Sequence, residues 1–342
     1  MKLLIVTQVI DTEHPILWFF HRWVEEFAKH CEHVHVICLQ AGQHSLPPNV
    51  TIHSLGKESG KGKLVYLLRF YKLIWQLRHE YDNVFIHMNQ IYVILGAPVW
   101  KLLRKKVGLW YVHRQVSLSL KCATLLVDKI FTSSPESFRI KTNKVKYVGH
   151  GIDFSTFDNE RQIDNSKFVI SHFGRISRIK NIDVLLKAVS NSNNKEQIEI
   201  HLYGEAQTGE DQRYKKELKE LVASERLAVH FVGSIKSSEV PQKLQKTNLS
   251  VNLTPEGGWD KVVIEAIASH TTVLTSNTAF SGLLNNYKDT LIFQFADVDD
   301  LATKIDNQFS LNETDIKKQT SYVYDQSKEF DLKNLIPKLI TK

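Results

Sequence analysis

Phe168-Val169-Ile170-Ser171-His172-Phe173-Gly174-Arg175-Ile176-Ser177-Arg178-Ile179-Lys180-Asn181 is an apolar strand that stops at a glycine and passes through a basic loop into an amphipathic stretch, Ile182–Ser190. Open α/β sheets place their ligands in loops beyond the carboxyl ends of strands. Arg175 offers a planar fork and Lys180 a mobile point charge, and the two suit a diphosphate. A solvated basic turn would use the same residue types, so the segment by itself leaves both readings open.

Outward from this segment, strand-length apolar runs alternate with helix-length amphipathic stretches, the pattern of parallel α/β sheets. Downstream, strands are expected at Ile198–Tyr203, Val229–Val232, Leu249–Leu253, Val273–Thr275 and Ile292–Phe295, with helices at Asp211–Ser224, Ser238–Lys246 and Lys261–Ser269. Upstream, strands are expected at Lys2–Thr7, Val34–Leu39, Val84–His87, Val107–Val112, Ile130–Thr132 and Val145–Val148. The intervening helices fall at Leu17–His30, Lys63–His79, Leu95–Lys106, Ser117–Leu126 and Ser134–Ile140. The polar stretch Asp158–Ser166 has no periodicity and reads as a linker. The 342 residues exceed what one core usually supports, which agrees with two domains.

Composition narrows the class. Apolar residues are 42% and charged residues 24% of the chain, as in packed soluble domains. Cys31, Cys38 and Cys122 are too few and too scattered for a disulfide framework or a metal knuckle, so a reducing cytoplasm is the expected location. The apolar start Met1–Thr7 is interrupted by Gln8, Asp11 and Glu13 and reads as a buried strand rather than a signal peptide. The run Ile91–Trp100 is half the length of about 20 residues that a membrane span needs. Charge is uneven: residues 1–155 hold 20 Lys and Arg against 11 Asp and Glu, which points that half toward an anionic partner. No helix-turn-helix, zinc or aromatic RNA-binding motif accompanies this charge, so nucleic acid is not expected as the partner.

No G-x-G-x-x-G follows any strand, which counts against a simple dehydrogenase. Gly56-Lys57-Glu58-Ser59-Gly60-Lys61-Gly62-Lys63 has the wrong glycine spacing for a phosphate loop and is followed by Leu64 where a magnesium-binding hydroxyl would stand. A second informative stretch runs Thr254-Pro255-Glu256-Gly257-Gly258-Trp259-Asp260-Lys261-Val262-Val263-Ile264-Glu265-Ala266-Ile267-Ala268. Its glycines admit close approach of a ligand, its helix start offers unpaired amides to oxygens, and Glu265 one turn in suits ribose hydroxyls. An ordinary helix carboxylate would also fit Glu265.

Together these segments resemble the retaining glycosyltransferases of family 4, which have the GT-B fold: α/β, with two Rossmann-like doubly wound domains facing a cleft. Five ordered landmarks carry the resemblance over nearly the whole chain. They are Gly149-His150-Gly151-Ile152-Asp153, Gly174-Arg175 with Lys180, Leu202-Tyr203-Gly204, Phe231-Val232-Gly233 and Ile264-Glu265-Ala266. The resemblance implies that Arg175 and Lys180 bind the donor diphosphate, that Glu265 binds the ribose, and that His113 stands beside the donor sugar. Donor contacts are also expected from Gly174, Gly204, Gly257, Gly258, Asp260 and Lys261. His87 and Asn89, at a strand end, are read on the acceptor side, with a satisfied core histidine an equal reading of His87. Two departures from the family pattern stand out. Its Glu-x7-Glu signature has Gly257 in place of the first glutamate, with Glu256 one position off and Asp260 as a substitute. The glycine-rich N-terminal loop is replaced by Val9-Ile10-Asp11-Thr12-Glu13-His14-Pro15.

The resulting expectation is an acceptor-binding domain over 1–157, with a C-terminal helix within 322–342 returning to it, and a nucleotide-sugar-binding domain over 158–321. The activity implied is metal-independent hexosyl transfer from a nucleotide sugar to a glycan or lipid-linked acceptor, with no cofactor. A nucleotide-sugar epimerase of the same fold and a non-catalytic regulatory subunit are the alternatives. An anionic membrane surface is a further expected partner, at the inner face of the membrane. It is suggested by the basic amphipathic stretch Lys63–Arg78 and by Lys101-Leu102-Leu103-Arg104-Lys105-Lys106.

Overall fold

The computed structural model describes residues 1–340 other than 15, 114, 159, 165, 256 and 258. The chain divides into two compact units, Met1–Gly151 with Phe330–Lys342, and Ile152–Glu329.

The first unit runs β1 (Lys2–Ile10), α1 (Phe19–His30), β2 (His33–Ala41), β3 (Val50–Ser54), α2 (Lys63–Gln76), β4 (Asn83–His87), α3 (Gln90–Leu102), β5 (Lys106–Trp110), α4 (Leu118–Leu126), β6 (Lys129–Thr132) and β7 (Val145–Tyr147). The strands form one parallel sheet in the order β3-β2-β1-β4-β5-β6-β7. Connections leave β1 in both directions, so the topological switch lies between β1 and β4. Side chains alternate across the sheet with period two. Leu4, Val6, Val84, Ile86, Val107 and Leu109 point to one face, under α2, α3 and α4. Leu3, Ile5, Phe85 and Trp110 point to the other, under α1.

The second unit runs α5 (Phe154–Phe157), β8 (Phe168–Phe173), α6 (Ile182–Asn191), β9 (Ile198–Tyr203), α7 (Gly209–Glu225), β10 (Val229–Gly233), α8 (Val240–Gln245), β11 (Leu249–Asn252), α9 (Lys261–Ala268) and β12 (Thr272–Thr275). It ends with α10 (Ser281–Leu284), α11 (Lys288–Leu291), α12 (Val298–Phe309) and α13 (Glu313–Ser327). Its parallel sheet has the order β10-β9-β8-β11-β12, which puts the switch between β8 and β11.

Four local expectations are corrected. Val50–Ser54 forms an edge strand that the apolar pattern does not reveal, because Thr51, His53 and Ser54 alternate with two apolar residues and, among the described residues, only β2 pairs with it. Ile292–Phe295 makes a single parallel bridge from Ile292 to Thr275. The run then stops, because the Gln294 amide donates to the Asp300 carboxylate instead of a neighbouring strand. Within 134–140 only a 3-10 turn, Pro135–Ser137, forms. Helix α3 starts five residues before the expected Leu95 because Asn89 caps it, accepting from the Ile91 amide at 3.1 Å.

The stretch read as a linker is held to the second unit. The Arg161 guanidinium donates to the backbone oxygens of Thr247 and His270, and the Gln162 amide donates to Gln245 O at 3.0 Å. Phe154 and Phe157 are buried, and Phe154 packs on Tyr324 at 5.5 Å between ring centroids. Division at residue 151 rather than 157, and at 329 rather than 321, follows from these contacts, which keep α5 and α13 in the second unit.

Beyond Phe330 the chain returns to the first unit as α14 (Leu332–Ile340), whose Leu332, Leu335, Ile336 and Leu339 join Phe20, Trp23 and Phe27. The two glycines of the first landmark make room for this return. A Cβ on Gly149, whose φ is +79°, would stand 2.1 Å from the Phe330 ring, and one on Gly151 would stand 2.6 Å from Leu335 and Trp23. Leu335 is fully buried. Leu335→Ala is therefore expected to destabilise the first unit by about 2–5 kcal/mol. Urea unfolding checks this against Leu102→Ala, an exposed leucine whose loss should leave the midpoint unchanged.

Candidate functional site

Three glycines end adjacent strands of the second sheet. Gly174 follows β8, Gly204 follows β9 and Gly233 closes β10, with φ values of +154°, +141° and +89°. The Gly174 amide donates to Tyr203 O at 2.9 Å and the Gly204 amide to Gly233 O at 2.8 Å. A Cβ on Gly204 would stand 2.0 Å from the Gly174 carbonyl oxygen, a contact that no side-chain movement relieves because the neighbour is main chain. The bare glycine edge is therefore what lets the 174–181 loop lie across β9.

This loop leaves the sheet beside the switch point between β8 and β11, the usual ligand position of a doubly wound sheet. A 3-10 turn, Arg178–Lys180, brings Lys180 back over it. The Lys180 ammonium donates to the Asp260 carboxylate at 2.9 Å and to Thr254 Oγ1 at 3.0 Å. The same Asp260 oxygen accepts from Asn252 Nδ2 at 3.0 Å and from Thr254 Oγ1 at 2.8 Å. Burial raises the Asp260 pKa, but Lys180 and these hydrogen bonds outweigh it and hold the carboxyl below its ordinary value. A charged, crowded cluster of Lys180, Asp260, Thr254 and Asn252 thus occupies the switch point.

Beneath the loop, His172 is fully buried, and Nδ1 donates to Val251 O at 3.1 Å. Burial drives its pKa down to about 4, so the ring is neutral. Among the described residues its Nε2 has no hydrogen-bond partner, and it lies 3.5 Å from the place a Gly174 side chain would take. Arg175 is about half exposed, with Nε 3.8 Å from Asp211. Asp211 belongs to the capping box that starts α7, accepting from the Thr208 and Gln207 amides.

Helix α9 carries Lys261 and Glu265 one turn apart. Burial pushes the Glu265 carboxyl up to about 7, with Lys261 opposing the rise and Asp260 adding to it. Burial likewise lowers Lys261, against the pull of Glu265. Gly257 has φ +154°, a conformation that L side chains rarely adopt, so the backbone itself excludes a glutamate at this position of the signature. Glu256 and Gly258 lie outside the described residues.

Of the sequence-predicted residues, the second unit brings together Gly174, Gly204, Lys180 and Asp260, with Lys261 and Glu265 following on α9. Arg175 shares their loop and pairs with Asp211. Sequence reading gives no role to His172 and Thr254, which lie within the two quoted stretches, nor to Asn252 and Asp211. An amide on a strand otherwise read as buried, and the Thr208-x-x-Asp211 capping pattern, were the available signals.

In the first unit His87 ends β4, at the switch beside β1, with Nδ1 3.3 Å from Thr7 Oγ1. Phe20 stacks on its ring at 4.0 Å, and only 2% of the residue is exposed. His87 is therefore a core histidine and does not present its ring to an acceptor. Asn89 uses its side-chain oxygen as the α3 cap. His113 is exposed beyond β5, with Nδ1 accepting the Gln115 amide at 3.1 Å. Among the described residues one group could hold a metal. Glu199 and His201 of β9 and His230 of β10 bring their ligand atoms within 4.8 Å of one another.

Residues 167–310 match the family model for glycosyl transferases group 1, a span within the second unit that contains the Lys180 cluster. The matched family supports glycosyl transfer as the chemistry of this unit. Comparison with curated protein sequences gives no match. Among solved structures, Anabaena Alr3699/HepE in complex with UDP is similar over 99% of this chain and 98% of its own, at TM-score 0.74 and 18% identity. A glycosyltransferase from Rickettsia africae is similar over 98% and 96%, at TM-score 0.72 and 17% identity. Sucrose-phosphate synthase from Thermosynechococcus elongatus is similar over 99% and 97%, at TM-score 0.72 and 14% identity. The fold is that of the GT-B glycosyltransferases, built from two Rossmann-like units.

Two outcomes are expected. Gly204→Ala should cost roughly 1–3 kcal/mol through overpacking against the Gly174 carbonyl, read as a lowered unfolding midpoint of the second unit. Glu265 holds its proton more tightly when folded than an ordinary carboxyl of 4.5 does, so its favourable contribution is complete below about pH 4.5 and is lost as pH rises through about 7. Melting temperatures between pH 5 and 8 should fall more steeply for the wild type than for Glu265→Gln.

Proposed function

We propose that the chain is a retaining glycosyltransferase that moves a hexosyl group from a nucleotide sugar to a glycan or lipid-linked acceptor in polysaccharide or glycoconjugate assembly. The observation that carries this reading is one glycine-bounded loop, leaving a parallel sheet beside its switch point, that carries two cations, Arg175 near the start of α7 and Lys180 at the switch itself. Two cations at that place suit the diphosphate of a donor, and the match of residues 167–310 supports the same chemistry. The Anabaena relative is solved with UDP and with UDP-glucose, which makes these the first ligands to test here.

In the proposed reaction the bond from the anomeric carbon to the diphosphate oxygen breaks, and negative charge gathers on that oxygen. Arg175 and Lys180 stabilise it, as preorganised charges do for a leaving group. The acceptor oxygen bonds to the anomeric carbon on the same face, and its proton passes to the departing phosphate. Metal independence is part of the proposal. Asp260, the carboxylate beside Lys180, is committed to an ion pair and two further hydrogen bonds, which favours side-chain cations over a carboxylate-held ion. Glu265 is assigned to the ribose hydroxyls. Gly257, Gly258 and Lys261 are assigned to the donor by main-chain approach and charge, and His113 to the side of the donor sugar.

Arg175 is the informative position to test, because it is half exposed and its ion pair is long. Arg175→Ala should weaken UDP binding by the value of one charge-assisted contact, about 1.5–3 kcal/mol. Calorimetry would read this as a loss of roughly 10–150-fold at an unchanged melting temperature. Unchanged affinity in the folded variant removes the donor site. Incubation with UDP-glucose, with and without an oligosaccharide acceptor, tests the activity. Epimerised sugar without acceptor would favour the epimerase, and binding with no turnover a regulatory subunit.

A further inference from the structure

Helices α2, α3 and α4 cover one face of the first sheet, and their inward sides, with Phe70, Ile74, Tyr92, Trp100 and Leu120, fill the core. Their outward sides are not polar. Leu64 is 69%, Leu68 62%, Trp75 48%, Leu102 74%, Leu118 79% and Leu125 77% exposed. With Tyr71 and Ile91, these three helices supply eight of the fifteen exposed large hydrophobic side chains among the described residues. Singly scattered exposed leucines need no explanation, but a shared face does. The helices are adjacent: Tyr71 of α2 donates its hydroxyl to Leu95 O of α3 at 3.0 Å, and α3 packs against α4.

The charges on this layer all have one sign. No acidic residue occurs in α2, α3 or α4. From Ser59 to Val127 the chain has eleven Lys and Arg and two acidic residues, Glu80 and Asp82. Both acids are turned to the N-terminal end of β1, where Glu80 pairs with the Lys2 ammonium and Asp82 accepts the Lys2 amide. Lys63, Lys72, Lys101, Arg104 and Lys121 are exposed.

We propose that the outer face of α2, α3 and α4 docks on an anionic lipid surface, with leucines and Trp75 entering the interfacial region and the cations meeting lipid headgroups. A second copy of the chain fits poorly, because a self-complementary contact would set this one-signed face against itself. A lipid interface accepts both the apolar side chains and the cations at once. Each cation near an anionic surface strengthens binding by a factor of about five, and the attraction is screened by salt.

The test is co-sedimentation of the full chain with phosphatidylcholine vesicles, with and without phosphatidylglycerol, at low and high salt. The wild type should bind the anionic vesicles only, and release as salt rises. The double variant Leu68→Glu and Trp75→Glu should lose at least about tenfold in bound fraction, and Lys72→Glu with Lys101→Glu should lose as much at low salt. All four positions are exposed, so melting temperatures should match the wild type. Binding that is absent, indifferent to lipid charge or unchanged in both variants overturns the proposal. So does concentration-dependent self-association, by sedimentation velocity, that the Leu68→Glu and Trp75→Glu changes abolish. None of these outcomes depends on glycosyl transfer.

Discussion

The approach of the Gly174 carbonyl to within 2.0 Å of the place where any other residue at 204 would carry its Cβ fixes the working edge of the second unit. Because Gly204 has no side chain, the chain leaving β8 can hydrogen-bond across the end of β9, through Gly174 to Tyr203 and Ile176 to Glu205. That crossing sets the direction of the basic loop. Lys180 is thereby delivered to Asp260 and Thr254, on the far side of the switch point, and Arg175 is left near the start of α7. The charged cluster is a consequence of backbone geometry before it is one of charge.

Electrostatics then differ sharply over a few residues. Asp260 is stabilised as an anion by a direct cation and two neutral donors, while Glu265, one turn further into α9, is pushed toward neutrality by its surroundings. Lys261 moves toward neutrality as well. One satisfied ion pair, Lys180 with Asp260, thus stands next to two ionisable groups, Lys261 and Glu265, that burial disfavours as ions.

In the first unit the same economy of space appears at the return of α14. Gly149 and Gly151 are open to Phe330, Trp23 and Leu335, so the sheet face under α1 is sealed by the last segment of the chain. The opposite face is sealed by α2, α3 and α4, whose outer sides remain apolar and basic. A layer of helices that buries one side and leaves leucines on the other has two surfaces to satisfy, and only one of them is satisfied within the unit.

Alternation of apolar strands and amphipathic helices was enough to determine two parallel α/β units from the sequence, because burial on both sheet faces writes a continuous apolar signal into each central strand. The two glycine-bearing segments, read against that alternation, put Gly174, Lys180 and Asp260 in loops after strands and Glu265 on the helix that follows, where the structure has them. Val50–Ser54 was missed because an edge strand is only half buried, and Ile292–Phe295 was overread because apolar character does not say whether a neighbouring strand is in reach. Only the tertiary structure decided which landmark glycines serve packing, as Gly149 and Gly151 do, and which serve the loop, as Gly204 does. It alone showed that His87 is stacked under Phe20, that Asn89 is spent on a helix cap, and that Leu68 and Trp75 face outward. Those outcomes depend on contacts between residues far apart in the chain, which periodicity within one element does not encode.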